Sequence, residues 1–322
     1  ASRLNHAMAA RHYGEGFHTT GTLTVFGAAA AAGRLLGLDA GGQVRALGLA
    51  ASRASGVRRN FGTMAEILHS GHAAEGGIAS ADLARRGMTA ADDALDGPVG
   101  YFAAAGGGYE AGEIVGRLGS PWVFEYPGVW IKPHPNGALT HPGAACLLRL
   151  LRETSVDVAD IREIRVRTNP RVLRTLIHHD PVDAMQGKFS MEFTLAIVAL
   201  ERRAGLADFT DDTLSRPDIR AMMRRIRYAA YEDGEPGYSN VTTLVDVELA
   251  DGRTLSGRAD YAAGSTRDPM SFDDVAHKFR QCAGFAGFTD DFMGRILDAV
   301  AGLDGTGTVS GLAAALRRPD RN

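Results

Sequence analysis

Three ionisable side chains lie three residues apart in GTMAEILHSGHAAEGG, residues 62–77: Glu66, His69 and His72. The surrounding alanines and glycines carry no charge, so this trio suggests metal binding, acid–base chemistry or ordinary helix polarity. As a metal site the pattern is weak. Steps of three residues spread the groups over roughly 120° of helix surface, and the H-E-x-x-H zinc arrangement is absent. A catalytic or substrate-binding role and a hydrogen-bonded core histidine both stay open.

Further candidates lie elsewhere. In GFHTTGT, residues 16–22, His18 and Thr19 precede an Ala-rich run, and free N–H groups at a helix start suit a carboxylate. In WIKPHPNGALTHP, residues 130–142, Lys132, His134 and His141 cluster among three prolines. Proline fixes this backbone, and a Lys with two His suits carboxylate binding and proton transfer; a surface loop is the alternative. Lys188 in GKFSMEF opens an apolar run, as a ligand contact or as a lysine snorkelling at a helix end. His178, His179 and Asp180 form a weaker cluster on a predicted loop. The chain has three lysines, Lys132, Lys188 and Lys278, against 32 arginines, so each compact, tunable ammonium is a candidate.

These residues need elements to position them. The 322 residues carry a formal charge of −3 and are 45% hydrophobic, the composition of a globular protein. So small a charge argues against a nucleic-acid binder working by bulk electrostatics. The chain has no apolar run long enough for a membrane span, and its first residues lack a signal peptide's apolar core, which points to the cytoplasm. Cys146 and Cys282 are too few for a disulfide framework and read as reduced thiols.

Small-residue helices are expected over 24–40, 44–57 and 76–88. Amphipathic or apolar helices are expected over 142–153, 189–205 and 216–228, and alternation predicts a strand over 161–169. Residues 241–260 read as a hairpin turning at Asp251-Gly252. Two more helices follow, capped by Ser271 and Thr289. The fold class is mainly α. A helical domain over 1–128 is interrupted by a smaller α+β insertion over 129–267, and helices over 268–322 return to the helical domain.

Taken in order along nearly the whole chain, GFHTTGT, GAAAAAGRLLGLDA, ALGLAASRASG, NFGTMAEILHSGHAAEGG, IKPHPNGALTHP, GKFSMEF and DPMSFDDVAHKFRQC make the sequence resemble the MmgE/PrpD family. That family includes 2-methylcitrate dehydratase, cis-aconitate decarboxylase and iminodisuccinate epimerase. The resemblance implies a homodimer, a cleft between domains, no metal or organic cofactor, and no nucleic-acid or membrane partner. It implies a cofactor-independent lyase that moves a proton next to a carboxylate of a small di- or tricarboxylate, with 2-methylcitrate dehydration as the leading expectation. An epimerase of an amino- or imino-dicarboxylate and an inactive relative with a binding role stay open. His18, Lys132 and His69 map onto catalytic positions, and Glu66, His141, Thr19 and Lys188 onto substrate binding.

Two departures stand out. Relatives usually carry a Lys where this chain has Glu66; beside a carboxylate about 4 Å away the swap turns attraction into several kcal/mol of repulsion. Relatives also usually carry more chain before GFHTTGT, with an Asp/His-rich motif. A helical domain lacking that part is expected to expose apolar surface.

Overall fold

The computed structural model describes residues 1–125, 128–232, 236–305 and 308–317. Contacts divide the chain into two compact units, Ala1–Val129 and Trp130–Asn322.

The first unit is helical: α1 (Ser2–Gly14), α2 (Thr19–Leu35), α3 (Ala40–Ala51), α4 (Met64–Arg85) and α5 (Tyr101–Gly106). Its centre is the packing of α2 on α4, where Val25, Phe26 and Ala29 meet Ala73, Gly76 and Gly77. A Cβ on Gly77 would strike Ala28 and lie 2.6 Å from both the Ala29 nitrogen and the Val25 oxygen, so only glycine lets these backbones come so close. Each helix is shifted from its expected span. α2 begins at Thr19 because His18 supplies an extended N-cap residue. Asp39, inside the span expected for the first of these helices, instead caps α3, its carboxylate accepting from the Gly42 N–H at 2.7 Å. α4 reaches back to Met64, so the stretch with Glu66, His69 and His72 is its first half.

The second unit is mixed. It contains α6 (His141–Thr154), β1 (Ile161–Thr168), α7 (Pro170–Thr175), α8 (Ala184–Gly187), α9 (Met191–Glu201), α10 (Asp211–Ser215), α11 (Pro217–Arg224), β2 (Ile226–Ala230), β3 (Thr243–Leu249), β4 (Thr254–Ala259), α12 (Phe272–Phe285), α13 (Asp290–Ala301) and α14 (Ser310–Ala315). The sheet order is β2-β1-β3-β4, with β1 parallel to β2 and the other pairs antiparallel. Alternation along β1 buries Ile161, Ile164 and Val166 in the same core as Phe193, Leu195 and Ile197 of α9, a helix buried along nearly its whole length. Gly252 turns the hairpin with a left-handed φ of +87°.

Two boundaries differ from expectation. The helix expected over 216–228 stops at Arg224, because Ile226 pairs with Ile164 and the chain becomes an edge strand. α9 ends at Glu201, four residues before Gly205, with Arg202 left-handed at φ 54°. α12, α13 and α14 fall in the second unit. Ser271 and Thr289 cap α12 and α13; Ser271 forms a reciprocal box with Asp274.

Cys146 is buried, Cys282 is half-buried, and both are free thiols. Among the described residues, no helix is long and apolar enough to cross a membrane. Several large apolar side chains face solvent, including Met64, Leu68 and Ile78 on α4.

Candidate functional site

In the first unit the fold brings His18 and His69 together. Their Nδ1 atoms lie 2.8 Å apart. His18 is held by backbone: its N–H donates to the Gly56 carbonyl at 3.0 Å, and its carbonyl accepts from Gly21 and Thr22 at 2.9 and 3.1 Å. Its ring meets Phe61 edge-on, with centroids 4.8 Å apart. His69 projects from α4 and is buried against Gly56, whose φ of +138° and missing side chain leave room for the imidazole.

Two imidazole nitrogens at this distance need one proton between them, so one ring donates and the other accepts. Burial, and then the charge of neighbouring His72, pull the His69 imidazole below its ordinary value. A His69 held neutral can share a single proton with His18 through the Nδ1–Nδ1 contact. Two imidazoles so placed have the chemistry that general acid–base catalysis needs.

The other members of the opening trio sit differently. Glu66, in the first turn of α4, accepts the Gly62 N–H at 3.3 Å. A carboxylate there also complements the positive end of the helix. His72 is half-exposed one turn beyond His69, and Thr19 is the first residue of α2. Among the described residues, no group of three or more His, Cys, Asp and Glu side chains gathers as a metal site.

Lys132, His134, His141 and Lys188 belong to the second unit. Lys132 Nζ donates to the Asn136 carbonyl at 3.3 Å. His141, expected to bind substrate, is 1% exposed and lies in a polar core. Its Nε2–H donates to Asn136 Oδ1 at 2.8 Å, while Asn136 Nδ2 donates to Thr140 and Thr194 at 2.9 and 2.8 Å. Burial, then repulsion from His134, Lys132 and Lys278, push His141 down to about 3, so it is neutral at ordinary pH. Lys188 ends α8 with Nζ 3.9 Å from Met185 Sδ, and its carbonyl accepts from the Gly137 N–H at 2.8 Å. In the same unit, His179 Nδ1 lies 2.8 Å from Glu192 Oε1. Burial raises the Glu192 carboxyl.

Comparison with known proteins now adds to this geometry. The MmgE/PrpD N-terminal domain matches residues 1–114, and the MmgE/PrpD C-terminal domain matches residues 134–300. The chain belongs to the MmgE/PrpD family. Relatives of this MmgE/PrpD chain include cis-aconitate decarboxylase of Homo sapiens, 27% identical over 281 residues, covering 86% of the chain and 58% of the relative. That of Mus musculus is 26% identical over 269 residues, covering 82% and 55%. That of Aspergillus terreus is 27% identical over 319 residues, covering 92% and 64%. The chain thus spans 55 to 64% of the length of these relatives.

Several polar residues of this MmgE/PrpD chain had no signal in spacing. His12 is 1% exposed; its Nδ1–H donates to the Ala105 carbonyl at 2.9 Å, and its Nε2 lies 2.7 Å from Thr22 Oγ1. Thr22 Oγ1 in turn donates to the His18 carbonyl at 3.1 Å, so both residues help fix the start of α2. Asn136 and Glu192 also organise histidines, but each reads in sequence as one polar residue among many. Only the neighbouring histidines would have drawn attention to them.

Proposed function

We propose that this MmgE/PrpD member is a lyase acting on a small di- or tricarboxylate, with His18 and His69 moving the proton next to a carboxylate. The Nδ1–Nδ1 pair carries the reading: two imidazoles lie within proton-sharing distance, and burial biases His69 toward its neutral form. Lys132, in the second unit, is by its own chemistry a cation suited to a carboxylate. The names of the relatives favour decarboxylation of a cis-aconitate-like substrate over dehydration of 2-methylcitrate. Epimerisation with Glu66 meeting a substrate nitrogen has less support, because Glu66 Oε2 already accepts from Gly62. Assembly as a homodimer belongs to the same proposal.

The test is turnover of cis-aconitate and 2-methylcitrate, followed by release of CO₂ or water. His18→Ala and His69→Ala are each expected to lower kcat by roughly 10²–10⁴-fold, the usual reach of general acid–base catalysis, with an unchanged far-ultraviolet spectrum. Near-normal turnover in both variants would sink the proposal.

A further inference from the structure

His18 is the N-cap residue of α2, yet its side chain makes no capping bond. An N-cap side chain ordinarily takes a free N–H of the first helical turn. Here the ring is turned to His69 instead. The start of α2 is secured through the His18 carbonyl, which accepts from the Gly21 and Thr22 N–H groups and from the Thr22 hydroxyl.

That hydroxyl is itself held from below. His12, in the last turn of α1, places Nε2 2.7 Å from Thr22 Oγ1. The imidazole is anchored at its other nitrogen, where Nδ1–H donates to the Ala105 carbonyl near the end of α5. His12 is 1% exposed and Thr22 is fully buried, so neither can exchange its partner for water, and the hydroxyl cannot rotate without losing one. The Thr22 carbonyl is fixed as well, accepting from the Tyr101 hydroxyl at 3.1 Å. His12 reaches His18 by a second route. Its ring stacks on Phe17, the residue before His18, with centroids 4.6 Å apart and planes 3° from parallel. The Phe17 N–H donates to the His12 carbonyl at 3.3 Å. A buried imidazole thus contacts the side chain four residues after His18 and the one immediately before it. An aromatic hydrocarbon in its place could keep the stacking but not the hold on Thr22.

We infer that His12 is a positioning residue for His18, acting through the Thr22 hydroxyl and the Phe17 ring to fix the N-cap turn and aim the His18 imidazole at His69. The inference rests on the reading of His18 and His69 as the acid–base pair.

The test uses the full chain with nitrogen-15-labelled histidine and the variants His12→Phe, Thr22→Val and Thr22→Ser. His12→Phe keeps an aromatic ring against Phe17 and removes both hydrogen bonds; Thr22→Val removes only the hydroxyl, and Thr22→Ser restores it. His12→Phe and Thr22→Val are expected to shift the imidazole nitrogen resonances of His18, assigned with His18→Gln, and to lower kcat about tenfold or more with little change in KM, as misplacing a catalytic group does. Thr22→Ser should keep the parent's resonances and kcat. Should His12→Phe fail to fold, the valine and serine pair decides. Folded His12→Phe and Thr22→Val proteins with normal kcat overturn the inference, even if they melt at lower temperature, because that is all a purely structural role predicts. So does a fall in kcat that leaves the His18 resonances in place or that serine does not restore. Full turnover by His18→Ala would remove the acid–base reading and the inference with it; an inactive His18→Ala beside a fully active His12→Phe and Thr22→Val removes the inference alone.

Discussion

In the proposed mechanism His69 works as a neutral partner of His18, and His72 helps keep it neutral. Replacing His72 by Gln removes one source of repulsion and should raise the His69 pKa. The acid limb of kcat/KM is then expected to move to higher pH; a limb that stays in place would count against a neutral His69 in the mechanism. His141 gives a separate prediction about stability. Folding favours its neutral form, so below about pH 6.5 the unfolded chain binds the extra proton first. Its stabilising contribution is complete above that pH, declines as pH falls, and is lost below its folded value of about 3. The total is at most about 5 kcal/mol, from roughly 1.4 kcal/mol per pH unit. Urea unfolding at pH 7 and pH 4.5 should show a smaller acid loss in His141→Gln than in the parent, since glutamine can still donate to Asn136. Equal losses would mean that His141 takes no part in the acid sensitivity.

Among the elements, the contact between α2 and α4 decides whether the two histidines meet. Gly77→Ala forces a methyl group against Ala28 and the Val25 carbonyl. Overpacking of this kind typically costs about 1–3 kcal/mol. We expect a lower urea midpoint and a fall in kcat, because α4 must move away from α2. A stable, fully active variant would show that the helices have room to spare. At this scale β1, the hairpin and the caps at Ser271 and Thr289 were legible in sequence, because alternation, Asp-Gly and a hydroxyl before acidic residues act locally. The span of α2 and the strand nature of Ile226–Ala230 were not. The first depends on His18 being held by Gly56, and the second on pairing with β1, contacts that no window of sequence contains. The candidate site divides the same way. His18 and His69 stood out by type and motif, whereas their 2.8 Å contact spans 51 positions. His141 looked like a ligand because a histidine among prolines gives no hint of a buried Asn136 partner.

For the molecule as a whole, the apolar residues Met64, Leu68 and Ile78 on the solvent side of α4 need cover, and a second copy would supply it. Light scattering after size exclusion should report a dimer that Leu68→Glu with Ile78→Glu returns to monomer; a monomeric parent would remove the homodimer from the proposal. The histidine pair also sets the proton stoichiometry between the protein and its solution. One proton occupies the Nδ1–Nδ1 link, and His69 refuses a second charge, so the pair can lend a single proton before bulk water must replace it. Loss of CO₂ with protonation of the carbon left behind takes that proton out of the medium at every turnover, whereas loss of water returns it. With the CO₂ swept out by inert gas, so that its hydration to bicarbonate returns no proton, an unbuffered reaction followed by acid titration would therefore drift alkaline in step with product for a decarboxylase and hold steady for a dehydratase.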